Sequence, residues 1–229
     1  MDEVRLTENG WLRSLTPRAA VVLLPKASPR QRRLFACACV RLCWDHLTDP
    51  AGRRAVEVAE AFCDGGAGKA ALRAAERAAF EAVAARPAFG HPTPARSAEG
   101  AAMYACTTQL QWGAGQAAAC AVECLTGATT TDRAERPAVM KRAHQAVRTV
   151  MHDVFGNPFR PVAFDPRWRT ADTVGLARAV YEDRAFNRFP LLRDALMDAG
   201  CADEQVLAHT RRRTHVRGCW LLDRILDKK

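Results

Sequence analysis

Three things are scarce in this sequence, and each scarcity closes off a class of protein. No apolar run approaches the 18 or more residues a membrane span needs, and the run from Ala19 to Leu24 is too short. No stretch shows the alternating period of a half-buried strand, which argues against sandwiches and barrels. Val162-Ala163-Phe164 is the one short extended piece to be expected. Lysine is also scarce: Lys26, Lys69, Lys141, Lys228 and Lys229 stand among 34 basic residues, the rest arginine. Abundant arginine and alanine together are what a GC-rich genome produces. The net charge of +9 is therefore weak evidence for a nucleic-acid partner.

The chemical motifs are scarce too. No CxxC knuckle and no GxSxG elbow occurs. Gly65-Gly66-Ala67-Gly68-Lys69 has the glycines of a phosphate loop. However, no strand precedes it, and Ala70 stands where Ser or Thr should be, so it reads as a turn before a helix. The nine cysteines are odd in number, and the segment around Asp2, Glu3 and Arg5 has no apolar signal core. Reduced thiols and a cytoplasmic location are the expectation.

What is present is helical punctuation. Thr16-Pro17, Ser28-Pro29 and Asp49-Pro50 each pair a capping side chain with a proline suited to a first turn. They predict a short helix stopped by Pro25, one reaching about Leu47, and one ending near Cys63. Lys69–Arg86 carries an apolar stripe, and Pro87, Pro92 and Pro94 mark a loop. Ala98–Leu125 reads as one long small-residue helix kinked near Gly113 and Gly115. Thr131-Asp132 starts a helix to about Val154, delayed by Pro137. Further helices are expected over 171–186, 189–199, 203–210 and 216–227.

Between these runs, 155–170 is an irregular loop rich in proline and aromatics. The fold class is all-α, a multi-helix orthogonal or layered bundle with this one long loop. An N-terminal bundle of 1–154 and a smaller helical region of 155–229 are the expected division, with a single domain as the alternative. Val40–Trp44 echoes Val216–Trp220, but the match does not extend outward and reads as coincidence.

Candidate sites follow from residue types. Cys39, Cys43 and His46 share a helix face at i, i+4 and i+7, and thiolate and imidazole suit zinc. The same helix is apolar nearly all round, so its cysteines also read as small buried hydrophobes, as do Cys120 and Cys124. His152-Asp153 is the dyad of helical metal-dependent phosphohydrolases, with His144, Asp172 and Asp183 as conceivable partners. Its plainer reading is a solvated pair near a helix end. Cys219 or Cys37 is a conceivable nucleophile with a distant histidine.

Arg211, Arg212, Arg213 and Arg217 form a basic cluster beside His209 and His215. Arg160 and Arg167 flank Phe159 and Trp168, and Arg30, Arg32 and Arg33 crowd one helix start. These arginines suit phosphate contacts or a solvated surface. Phe159 and Trp168 make 155–170 a candidate groove over the helices, or else a loop locked by packing.

Four segments together carry a resemblance: Arg33–Cys39, Arg53–Glu60, Phe155–Pro161 and His215–Trp220. They resemble an uncharacterised multi-copy protein family of large-genome planctomycete-type bacteria. The resemblance spans about residues 10 to 226 and implies no site residues. High copy number in that family implies interaction or regulatory modules. The function expected is a non-enzymatic helical interaction module with protein partners and no cofactor. The alternatives are a nucleic-acid-binding protein using the arginine clusters, and a Cys/His zinc protein or metal-dependent hydrolase.

Overall fold

The computed structural model describes residues 6–14, 16–22, 24, 26–85 and 93–228. The expected stops at Pro25, Pro87 and Pro92 lie outside these residues. The fold is all-α, with no strand among the described residues. The Val162–Phe164 piece forms none, and Val162 and Phe164 pack on a hydrophobic core instead. Two compact units divide the chain, Met1–Met151 and His152–Lys229.

In the first unit, local chemistry sets most helix starts. The first helices are α1 (Pro17–Val22), α2 (Pro29–Arg41), α3 (Pro50–Cys63) and α4 (Lys69–Ala84). Ser28 and Gln31 close a reciprocal capping box on α2, at 3.2 and 3.0 Å. Asp49 Oδ1 accepts from Ala51 N (2.8 Å) to cap α3. The long helix expected over 98–125 is instead two, α5 (Pro94–Cys106) and α6 (Leu110–Thr129). Gly113 permits the fold-back, because a Cβ there would overlap Thr107 Cγ2. Helix α7 (Arg136–Phe155) starts late, with Pro137 in its first turn, and its residues from His152 on belong to the second unit.

Helix α2 is central to the first unit, and every residue from Arg32 to Val40 is buried. Buried alanines such as Ala101, Ala105, Ala114, Ala117 and Ala121 let α5 and α6 pack closely. The cluster Arg30, Arg32 and Arg33 is spent inside this unit. Arg32 donates to Val21 O (2.7 Å) and Leu24 O at the end of α1. Arg33 donates to Ala105 O (2.8 Å) and Thr107 O (3.2 Å) at the end of α5. Arg30 donates to Cys63 O (3.2 Å) at the end of α3 and pairs with Asp64. Three guanidiniums on one helix thus satisfy the orphan carbonyls of three others.

The second unit holds α8 (Ala171–Glu182), α9 (Phe189–Asp198), α10 (Glu204–Thr210) and α11 (Trp220–Ile225). Phe189, Leu192, Leu196, Val206, Leu222 and Ile225 are among its core residues. Trp168 sits on this core and meets Phe164 edge to face at 5.2 Å. Arg169 Nε donates to Ile225 O (2.9 Å) at the end of α11. The 155–170 loop is thus locked by packing at Trp168, while Phe159 is exposed.

The last helix begins at Trp220, not at 216. Val216 gives its N–H to a side chain, and Gly218 takes the left-handed region at φ 88°, which a helix does not admit. Val40 lies near the end of α2 and Val216 in this turn, so the sequence echo has no structural counterpart.

Candidate functional site

The turn before α11 brings polar side chains together inside the second unit. Asp153 comes from the end of α7, His209 from the last turn of α10, and His215 and Cys219 from the connection to α11. Asp203 fixes α10 by accepting from Gln205 N (2.8 Å) and Val206 N (3.0 Å). Asp153, His209, His215 and Cys219 each offer a donor atom, and these atoms lie within 4.8 Å of one another. All four residues are buried, and Asp153 and Cys219 have no exposure at all. Asp153 was expected to be solvated; the connection from α10 to α11 covers it instead.

The hydrogen bonds assign the protons. Trp220 Nε1 is a donor only, and it donates to His209 Nδ1 at 3.0 Å. The proton of a neutral His209 therefore sits on Nε2, which faces Cys219 Sγ at 3.0 Å and Asp153 Oδ1 at 3.3 Å. His215 Nδ1 lies 2.8 Å from Asp153 Oδ1, and Val216 N donates to Asp153 Oδ2 at 2.8 Å. The His215 ring stacks on Phe189 with centroids 3.4 Å apart, and its Nε2 is buried without a hydrogen-bond partner.

Burial dominates the electrostatics of the cluster and favours neutral forms. It pushes the Cys219 thiol well above its ordinary range, with Asp153 adding to the effect. It holds His209 well below the usual imidazole value, helped by the charges of His215 and Arg212. It raises Asp153, while the His215 and Val216 hydrogen bonds pull the other way. A nucleophile needs an accessible thiolate. Cys219 does meet a histidine, but as a closed, protonated thiol, and Cys37 is equally buried with its thiol raised.

The other sequence candidates are placed differently. Helix α2 ends at Arg41, so Cys39, Cys43 and His46 do not share one helix face. Cys43 turns to Ala121 O (3.7 Å) and to Cys124, and burial drives the Cys39 thiol upward. Among the described residues, the donor cluster forms without His144, His152, Asp172 or Asp183. Arg167 grips Asp165 at 2.6 Å and Arg211 reaches Glu204 at 3.4 Å. Arg217 lies over the Tyr181 ring at 4.8 Å. Arg160, Arg212 and Arg213 are exposed.

A second feature lies on the first unit. Arg73, Glu76, Arg77 and Phe80 on α4, with Met103, Tyr104 and Thr107 at the end of α5, line a groove of about 420 Å³. Phe80 is 58% exposed. Trp112, 49% exposed, meets Tyr104 edge to face at 5.2 Å. In the amide orientation that satisfies both donors, Gln116 accepts from Trp112 Nε1 (3.1 Å) and Arg18 (3.2 Å). The groove thus combines apolar rings with arginines.

Sequence reasoning passes over the groove, and it singles out Asp153 as half of a metal dyad and Cys219 as a nucleophile without joining them to each other or to His209 and His215. His209, His215 and Cys219 carry a signal, a His-x5-His-x3-Cys spacing, but the adjacent arginines drew the reading instead. Asp153 lies too far upstream for spacing to connect it. No protein-family model, curated protein or solved structure matches this chain. Among the described residues no helix is long and apolar enough to cross a membrane.

Proposed function

We propose that the chain is a non-enzymatic helical interaction module of the cytoplasm, and that the α4–α5 groove receives a protein partner. The observation that carries this reading is the exposure of Phe80 in the groove and of Trp112 against Tyr104, one of the groove's walls. Large aromatics left half in water are costly to a monomer and are typical anchors of interfaces. The occupant is an apolar segment with acidic flanks. Arg73 and Arg77 line the groove against a single acid, Glu76, and Arg18 lies on Gln116 beside Trp112. The overall charge of +9 adds long-range attraction of the same sign. Nucleic acid is the weaker alternative, because Arg167 and Arg211 already have carboxylate partners.

Selection from a displayed library of random 16-residue peptides, counter-selected on Phe80→Ala, tests this reading. Enriched peptides should carry an aromatic or large aliphatic residue flanked by Asp or Glu, and should lose at least tenfold in affinity to Phe80→Ala and Trp112→Ala. Enrichment of basic peptides, or binding indifferent to both substitutions, would overturn it.

A further inference from the structure

We propose that Asp153, His209, His215 and Cys219 form a mononuclear binding site for a divalent transition-metal ion, with zinc the best match to the donor set. The proposal is independent of the groove on the first unit. Imidazole, thiolate and carboxylate are each zinc ligands, and four of them suit a tetrahedral ion. They come from three separated segments, the end of α7, α10 and the connection to α11, and converge within 4.8 Å. Zinc bonds of about 2.0–2.3 Å set tetrahedral neighbours roughly 3.3–3.8 Å apart. His209 Nε2 already stands 3.3 Å from Asp153 Oδ1 and 3.0 Å from Cys219 Sγ. Small adjustments of these side chains therefore suffice.

Charge makes the same case. Asp153 Oδ2 accepts the Val216 N–H at 2.8 Å and Oδ1 lies 2.8 Å from His215 Nδ1, yet the residue has no exposure. With His209 held neutral by burial and Cys219 a protonated thiol, His215 is the one group of the cluster placed to balance a buried carboxylate there, and buried charge is costly. A divalent cation bound to the carboxylate and a Cys219 thiolate brings the sum to zero. The second unit is also small, at roughly 78 residues, the size at which a metal staple matters.

The proton balance is explicit. The Cys219 thiol proton leaves to solvent as the sulfur–metal bond forms. The His209 proton moves from Nε2 to Nδ1 as Nε2 ligates, so the Trp220 N–H no longer has an acceptor there and must turn away. His215 shifts its proton from Nδ1, which faces the cluster, to Nε2. One proton is released per ion when His215 starts neutral, and a second, from Nδ1, when it starts as an imidazolium; no electron moves.

The test begins with protein purified without chelator, with metal content measured by mass spectrometry. The protein is then stripped and titrated with Co²⁺. The expected result is one zinc per chain and a thiolate-to-cobalt charge-transfer band that saturates at one equivalent and is displaced by Zn²⁺. At least one proton per ion should be released, and the fluorescence change on binding should be lost in Trp220→Phe. Cys219→Ser should abolish the band, while Cys39→Ser and Cys43→Ser should keep it. If Cys219→Ser does not fold, the wild-type cobalt band and proton count decide. Folded wild-type protein with neither metal nor a cobalt band would overturn the proposal. So would a band that survives Cys219→Ser.

Discussion

The two units solve the problem of buried polarity in different ways. In Met1–Met151, three long arginine side chains carry charge inward and end on backbone carbonyls, while the buried Glu60 and Glu99 meet Arg41 and Thr48. Arg30, Arg32 and Arg33, in the first turns of α2, each close the C-terminal end of a neighbouring helix. The surrounding helices are lined with alanine and glycine, so backbones come near enough for a guanidinium to bridge them. In His152–Lys229, four short polar side chains meet one another at one point among aromatic rings, with Thr173 and Asp223 buried as well and Arg169 on the Ile225 carbonyl. The first arrangement spreads its dependence over many carbonyls. The second gathers much of its dependence on Asp153 and its partners. Removing single groups should therefore affect the two units unequally.

The largest effect is expected from Asp153→Ala. It strips the hydrogen-bond acceptor from His215 Nδ1 and from the Val216 N–H, both buried or half-buried. Breaking such a buried network costs about 3–5 kcal/mol, measured by urea unfolding followed through signals of the second unit. Arg33→Met should cost less, about 1–3 kcal/mol, because it leaves the Ala105 and Thr107 carbonyls without their donor while keeping the apolar stem. A loss from Arg33→Met equal to that from Asp153→Ala would break the distinction.

Acidification should separate the units by a smaller margin. His209 has a folded-state pKa held well below 6.5, so the unfolded chain binds the extra proton first. The stability of the metal-free second unit should be full above about pH 6.5 and fall as pH drops below it. Cys219 acts at the other end. Its raised pKa means that stability should decline as pH climbs past 9.0, where the unfolded thiol ionises. Unfolding free energy measured from pH 4 to 10 should show a plateau between these limits. His144, also lowered but half-exposed, gives the first unit a shallower acid limb. The smallest effect is expected from Phe80→Ala, whose ring is mostly in water. Its stability should stay within about 0.5 kcal/mol of the parent, although peptide binding to the groove is lost.

Helix starts were legible because the chemistry is local. Ser28 with Gln31 and Asp49 with Ala51 act within a few residues of their own position. Helix ends were less so. The stop of α2 at Arg41 is accompanied by tertiary contacts, where Arg41 pairs with Glu60 at 2.8 Å and stacks on Trp44 at 3.9 Å. The break between α5 and α6 needs the close approach of Gly113 to Thr107, and periodicity reads straight through it. The arginine clusters were visible as charge, but their destinations were not, because carbonyls at distant helix ends have no sequence signature. The buried cluster was hidden for the same reason. His209, His215 and Cys219 are near neighbours in sequence, while Asp153 reaches them only through the folded path of α8, α9 and α10.

Amide hydrogen exchange on Asp153→Asn and Arg33→Met, each against the parent chain, tests the contrast most directly. The account predicts that Asp153→Asn raises exchange in α10, α11 and their connection while α2, α5 and α6 stay protected, and that Arg33→Met does the reverse. Protection of α10 and α11 unchanged in Asp153→Asn, or equal loss in both units from either substitution, would contradict it.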